Sequence, residues 1–154
     1  ELMNRSSRPV EDRRRLLEAI AFNYLLLGTD AHAKNYSLLL GRNQQVRLAP
    51  LYDIASFLPY FDRYKDCRFA MKIGGYYLDN RIRPRHFDKL ARACEFSAQG
   101  LQHIVLEMAL RLPDEADRVQ KEMAEQGVVH PIIENLVESL KKRAAKKGRE
   151  FAGR

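Results

Sequence analysis

The sequence predicts a mainly α-helical domain with one small β-hairpin. Three observations carry that reading. Apolar residues recur at helical spacing over residues 9–27, they do so again from Pro84 almost to the C-terminus, and between these stretches two short apolar runs flank a turn-rich link. At 154 residues the chain is long enough for one core that buries roughly 68–70% of its unfolded surface without metal or disulfide staples. No internal repeat and no second domain boundary interrupts it, so residues 1–154 read as a single unit.

The elements follow in order. Glu1 to Arg8 is polar and carries no structural signal. A first helix begins at Pro9, which suits the first turn, with Glu11 and Asp12 placed well for the N-terminal dipole. Leu16, Leu17, Ile20, Ala21, Tyr24 and Leu25 give it an apolar side, and Gly28 is expected as its C-terminal cap. Residues 36–40 and 45–49 then flank Gly41-Arg42-Asn43-Gln44, the pattern of a hairpin. Residues 57–68, aromatic and mixed in charge, read as an irregular loop. Phe69 to Ile73 reads as a short strand before Gly74-Gly75. Helices are expected over 84–95, 97–111 and 113–126, and from Pro131 to about Lys146. The second of these carries Ile104, Val105, Met108, Ala109 and Leu112 on one stripe, and the last is expected to bury Ile132, Ile133, Leu136, Val137 and Leu140.

Composition excludes several classes. Hydrophobic residues make up 45% and charged residues 31%, and no apolar run approaches the roughly 20 residues of a membrane span. Cys67 and Cys94 are too few for a disulfide framework, and no leader pattern is visible, so a reducing, cytoplasmic setting is expected. The net charge of +7 is concentrated at one end: Lys141 to Arg154 holds seven basic residues against Glu150, and the rest of the chain is nearly balanced. Residues 141–154 therefore read as a solvated, flexible basic helix end, or as a patch for phosphate or an anionic partner.

The chemistry is concentrated in Gly28-Thr29-Asp30-Ala31-His32-Ala33-Lys34-Asn35 and in Tyr52-Asp53. An antiparallel hairpin carries the chain out and back, so Asn35 at its entrance and Asp53 past its exit should lie close together despite 18 residues of separation. Phosphoryl transfer needs a carboxylate to orient the acceptor hydroxyl and take its proton, oxygen ligands for Mg²⁺, and positive charge on the moving group. Asp30 is the candidate base, Asn35 and Asp53 are the candidate Mg²⁺ and nucleotide ligands, and Lys34 could lie against the phosphoryl group. The Asp-x-x-x-x-Asn spacing is that of protein-kinase catalytic loops, and the order helix, loop, hairpin, second Asp is that of the kinase large lobe.

Blander readings attach to each residue alone. Asp30 could cap a turn, Asn35 could start a strand through a local hydrogen bond, and His32 could be structural. Tyr52 is expected to pack under the loop and Gly74-Gly75 to form a plain turn. His86, His103 and His130 are widely spaced in helical segments without a zinc pattern.

Gly28 to Ser37, then Leu48-Ala49-Pro50-Leu51-Tyr52-Asp53-Ile54, then Met71-Lys72-Ile73-Gly74-Gly75 resemble the C-terminal region of HipA-like bacterial serine/threonine kinases, toxins of toxin–antitoxin pairs. The resemblance implies a protein-kinase-like C-lobe, Asp30 as catalytic base, Asn35 and Asp53 as ligands of Mg²⁺ and ATP, a protein substrate, and a small DNA-binding antitoxin as partner. No glycine-rich loop or nucleotide-binding strand Lys precedes Asp30, so the isolated chain is expected to fold without measurable kinase activity. Two other readings stand beside this one: a non-catalytic basic helical module for nucleic acid or an acidic partner, and a small-molecule kinase of related architecture.

Overall fold

In the computed structural model, which describes residues 2–63 and 66–153, α1 (Pro9–Leu26) is the central helix. Its buried residues Leu17, Ala19, Ala21, Tyr24 and Leu25 fall on more than one side, as in a helix enclosed by neighbours. β1 (Leu38–Leu40) and β2 (Val46–Leu48) form the expected antiparallel hairpin, with Leu38 opposite Leu48 and Leu40 opposite Val46. β3 (Arg68–Ile73) pairs with β4 (Tyr76–Leu78) in a second hairpin that the sequence reading did not anticipate. Gly74 and Gly75 turn it with positive φ, and a side chain at Gly74 would run into the backbone of His86, so the glycine also serves a close approach.

α2 (Pro84–Ala93), α3 (Ala98–Glu125) and α4 (Pro131–Ala152) complete the lobe. Tyr24 stands at the junction of four elements, 4.9 Å from the Phe87 ring of α2, 5.9 Å from Phe69 of β3 and 6.4 Å from Phe151 of α4. Edge-on packing of Phe87 against Phe151 closes the group. Among the described residues, no helix is long and apolar enough to cross a membrane.

Three expectations are corrected here. Residues 98–125 form one helix, not two: Pro113 lies inside it, where it removes a single hydrogen bond that packing on either side, through Ala109, Leu112 and Ala116, outweighs. Residues 58–63 of the expected irregular loop form a 3₁₀ stretch, and residues 64 and 65 of that segment lie outside the described residues. The basic end, expected as a solvated tail, is helical and only partly solvated, with Lys142, Lys146 and Arg149 exposed. It is the last part of α4, and Arg143, Lys147 and Phe151 are buried there, while Ile132, Ile133, Leu136 and Val137 are not. Arg154, the last residue of that segment, lies outside the described residues.

Asp12, fully buried, fastens the first hairpin to α1. It accepts hydrogen bonds from Ser6 Oγ (2.5 Å), the Leu48 N–H (2.9 Å) and Arg47 Nε (3.2 Å). Burial alone would raise this carboxyl, but the bonds from Arg47, Ser6 and Leu48 outweigh it and lower the pKa to about 2. Because that value lies below the unfolded one of about 3.9, the stabilisation is complete above pH ~5 and disappears as pH falls toward about 2. Asp12→Asn should therefore be less stable than the wild type at pH 7, with the gap closing on acidification. Urea unfolding at a series of pH values tests this, and parallel stability curves would refute it.

Candidate active site

The candidate loop begins where α1 ends. Leu27, not Gly28, adopts the left-handed capping conformation (φ 55°), and the Gly28 N–H reaches back to Asn23 O at 2.7 Å. Gly28 is needed for a different reason. A side chain there would collide with Asn23 and lie 3.3 Å from Ala55 O, so glycine lets the segment after Asp53 run directly beside the start of the loop.

That segment is pinned to the end of α1 by atoms the sequence reading missed. Ser56 Oγ donates to Leu26 O at 2.6 Å and the Phe57 N–H to Leu27 O at 3.2 Å. On the other side the Ala70 N–H of β3 donates to Thr29 O at 2.9 Å. Within the loop, the His32 N–H bonds Asp30 O (2.7 Å) and the Asn35 N–H bonds His32 O (2.9 Å), which winds Ala33–Asn35 into a 3₁₀ turn. The only sequence signal for these anchors is a polar residue inside an apolar stretch: Asn23 in α1, and Ser56 before Phe57 and Leu58.

Asn35 is the hub. Almost fully buried, it places its side-chain amide 3.3 Å from Asp30 O and 3.4 Å from Asp53 Oδ2. The hairpin argument thus holds in the structure: residues 35 and 53 meet. Asp30, Lys34 and Asp53 are exposed. Among the described residues, the Asp30 carboxylate and the Lys34 ammonium have no hydrogen-bonding or ionic partner; Lys34 contributes only its backbone oxygen, which accepts from Tyr52 Oη at 2.7 Å. Tyr52 does not pack beneath the loop. It is 46% exposed and ties the loop through its hydroxyl.

Do these residues suit Mg²⁺? Two adjacent oxygens of an octahedral site with bonds of about 2.1 Å lie roughly 3 Å apart. Rotating the Asn35 amide by half a turn presents its oxygen to the side on which Asp53 Oδ2 stands 3.4 Å away, so the pair needs to close by only a few tenths of an ångström. One carboxylate, one amide and open space suit an ion that keeps several waters and shares phosphate oxygens. Among the described residues there is no group of three or more His, Cys, Asp or Glu fit for a metal. The histidines have structural places: His86 Nδ1 accepts from the Arg83 N–H, His130 Nδ1 from the Ile132 N–H, and His32 Nδ1 is buried without a partner among the described residues.

The helical lobe with two small hairpins has the kinase-like fold. It superposes on HipA from the Shewanella oneidensis toxin–antitoxin complex of HipA, HipB and operator DNA with a TM-score of 0.78 at 20% identity, covering 99% of this chain and 35% of that one. The chain belongs to the HipA-like C-terminal domain family, which matches residues 1–116. It is 35% identical over 114 residues to the Sinorhizobium fredii protein named "Putative kinase Y4mE", and 26% identical over 72 residues to a "Putative kinase" of Haemophilus influenzae. These matches cover 73% and 47% of this chain but only 23% and 21% of those two proteins, so the chain spans less than a quarter of each relative's length.

Proposed function

We propose that this chain is the catalytic lobe of a HipA-type protein kinase that transfers the γ-phosphoryl group of ATP to a serine or threonine hydroxyl. The observation that carries the reading is the meeting of Asn35 and Asp53 at 3.4 Å, with the Asn35 amide also 3.3 Å from the backbone oxygen of the exposed Asp30, in a chain of the HipA-like C-terminal family. Asp30 accepts a hydrogen bond from the acceptor hydroxyl, aligns it and takes its proton as the oxygen attacks. Asn35 and Asp53 would hold Mg²⁺, which would supply positive charge to neutralise the nucleotide phosphates. Lys34, exposed in the Ala33–Asn35 turn, approaches the transferred group.

The proposal extends to ATP as co-substrate, a protein substrate, and a DNA-binding antitoxin as the partner of a cytoplasmic toxin, supported by the HipA-like family and the HipA–HipB–DNA neighbour. The basic-module alternative loses its main support in α4. Arg143 and Lys147 are buried, and Lys141 and Lys142 pair with Asp117 and Glu138.

The test is phosphoryl transfer from radiolabelled ATP by the intact protein. Asp30→Asn should lower kcat by about 10²–10⁴-fold while leaving nucleotide binding in place, the range expected for loss of a positioned general base. An Asp30→Asn protein as active as the wild type would overturn the assignment.

A further inference from the structure

Asp53 stands on the least supported backbone of the site. After the Ala49 N–H bonds Ser37 O at 2.9 Å, the hairpin ladder stops, and the next backbone anchor is the Phe57 N–H on Leu27 O. Among the described residues, no backbone–backbone hydrogen bond involves residues 50–55. Within this span Asp53 adopts φ 55°, the left-handed region that a side chain disfavours and that persists only where the surroundings hold it. Its carboxylate contact with Asn35, at 3.4 Å, is too long to supply that hold.

Tyr52 can supply it. Its single hydroxyl hydrogen is donated to Lys34 O at 2.7 Å, so the 2.6 Å contact with Ser37 Oγ has the serine donating to the tyrosine oxygen. Both bonds are short, and together they tie the residue before Asp53 to the residue before Asn35 and to the first residues of the hairpin. A phenol bears this load well because only two side-chain torsions separate its hydroxyl from the backbone.

We propose that Tyr52 is a positioning residue whose hydroxyl sets the separation of Asn35 and Asp53 and so tunes the cation affinity of the pair. This rests on the reading of Asn35 and Asp53 as the cation ligands. Loss of a group that orients a ligand typically weakens metal binding by about 10–100-fold. With the side chain partly in solvent, the lower end applies.

The experiment titrates Mn²⁺, in place of Mg²⁺, into the intact protein and follows free ion by electron paramagnetic resonance, for the wild type, Tyr52→Phe and Asp53→Ala. Tyr52→Phe keeps the ring and removes only the hydroxyl. It should weaken Mn²⁺ binding about tenfold and raise the Mg²⁺ concentration for half-maximal phosphoryl transfer to match, while kcat at saturating Mg²⁺ and the melting temperature stay near wild type. Unchanged Mn²⁺ affinity in Tyr52→Phe, with binding lost in Asp53→Ala, would overturn the role of Tyr52 alone. Unchanged affinity in Asp53→Ala would overturn the cation site itself. A fall in kcat at saturating Mg²⁺ without a change in affinity would assign Tyr52 to the loop's structure and refute the proposal.

Discussion

Asp53→Ala is expected to abolish Mg²⁺-supported nucleotide binding in the intact protein and to lower phosphoryl transfer by about three orders of magnitude. Asn35 is neutral, so Asp53 supplies the negative charge of the pair. Removing a single charge-stabilising group from a preorganised site costs on the order of 10²–10³ in rate, and here the lost group also anchors the ion. Alanine brings a complication, because it would have to occupy the left-handed backbone of residue 53 at a cost of roughly 1–2 kcal/mol. Asp53→Asn separates the two effects. Asparagine tolerates that conformation and removes only the charge, so it should keep the melting temperature and still lose most of the cation affinity. Nucleotide and metal titrations together with thermal unfolding decide the matter. An Asp53→Asn protein with wild-type Mg²⁺ dependence would show that the carboxylate holds no ion.

The proximity of Asn35 and Asp53 is readable in advance because topology alone dictates it. A hairpin returns the chain to its starting point, so Asn35 and Asp53 had to meet whatever the details of the turn. The long helices were readable because apolar residues at 3.6-residue spacing have few other uses. What the sequence concealed was set by tertiary contacts. Pro113 suggested a break that packing along both halves of α3 overrides, and β4 was too short to declare itself beside the glycines. Gly28 looked like a cap because caps are the common use of glycine after a helix. Its actual role, room for Ala55, depends on a segment 27 residues away. Ser56 and Tyr52 act through hydroxyls on backbone oxygens; Ser56 shows only as a polar residue in an apolar stretch, and the Tyr52 bond leaves no pattern in the chain.

The basic end of the chain was misread for a related reason. Lys and Arg in a helix end look solvated until a buried carboxylate is found to receive them. Arg143 meets Asp79 through two parallel bonds of 2.7 and 2.9 Å and donates to Tyr24 O (2.7 Å) and Leu25 O (3.0 Å), two carbonyls of the last turn of α1. One guanidinium thus ties α4 to the 3₁₀ turn Asp79–Arg81 and caps the helix from which the candidate loop departs. Burial would raise the Asp79 carboxyl, yet the Arg143 bonds, with the charges of Arg143 and Lys147, hold it below the ordinary carboxylate range. The same burial lowers the Lys147 ammonium, with Asp79 opposing the shift.

Arg143→Met would keep much of the volume and remove every one of these bonds. It leaves Asp79, whose side chain is 13% exposed, with the longer 3.7 Å ion pair to Lys147 in place of two short bonds, and it strips two helix carbonyls of their donor. Breaking a buried pair from one side costs about 3–5 kcal/mol, a large share of the roughly 5–15 kcal/mol that holds a domain together. At about 2–4 °C per kcal/mol for a domain of this size, the melting temperature should fall by about 10 °C. Asp79→Leu combined with Arg143→Met removes both charges, so the double variant should recover much of that loss, while the uncapped carbonyls of Tyr24 and Leu25 keep it below wild type. If the single and double variants melt together, the loss of the Arg143 bonds to the Asp79 carboxylate is not what destabilises the lobe. If neither differs from wild type, α4 does not hold the end of α1.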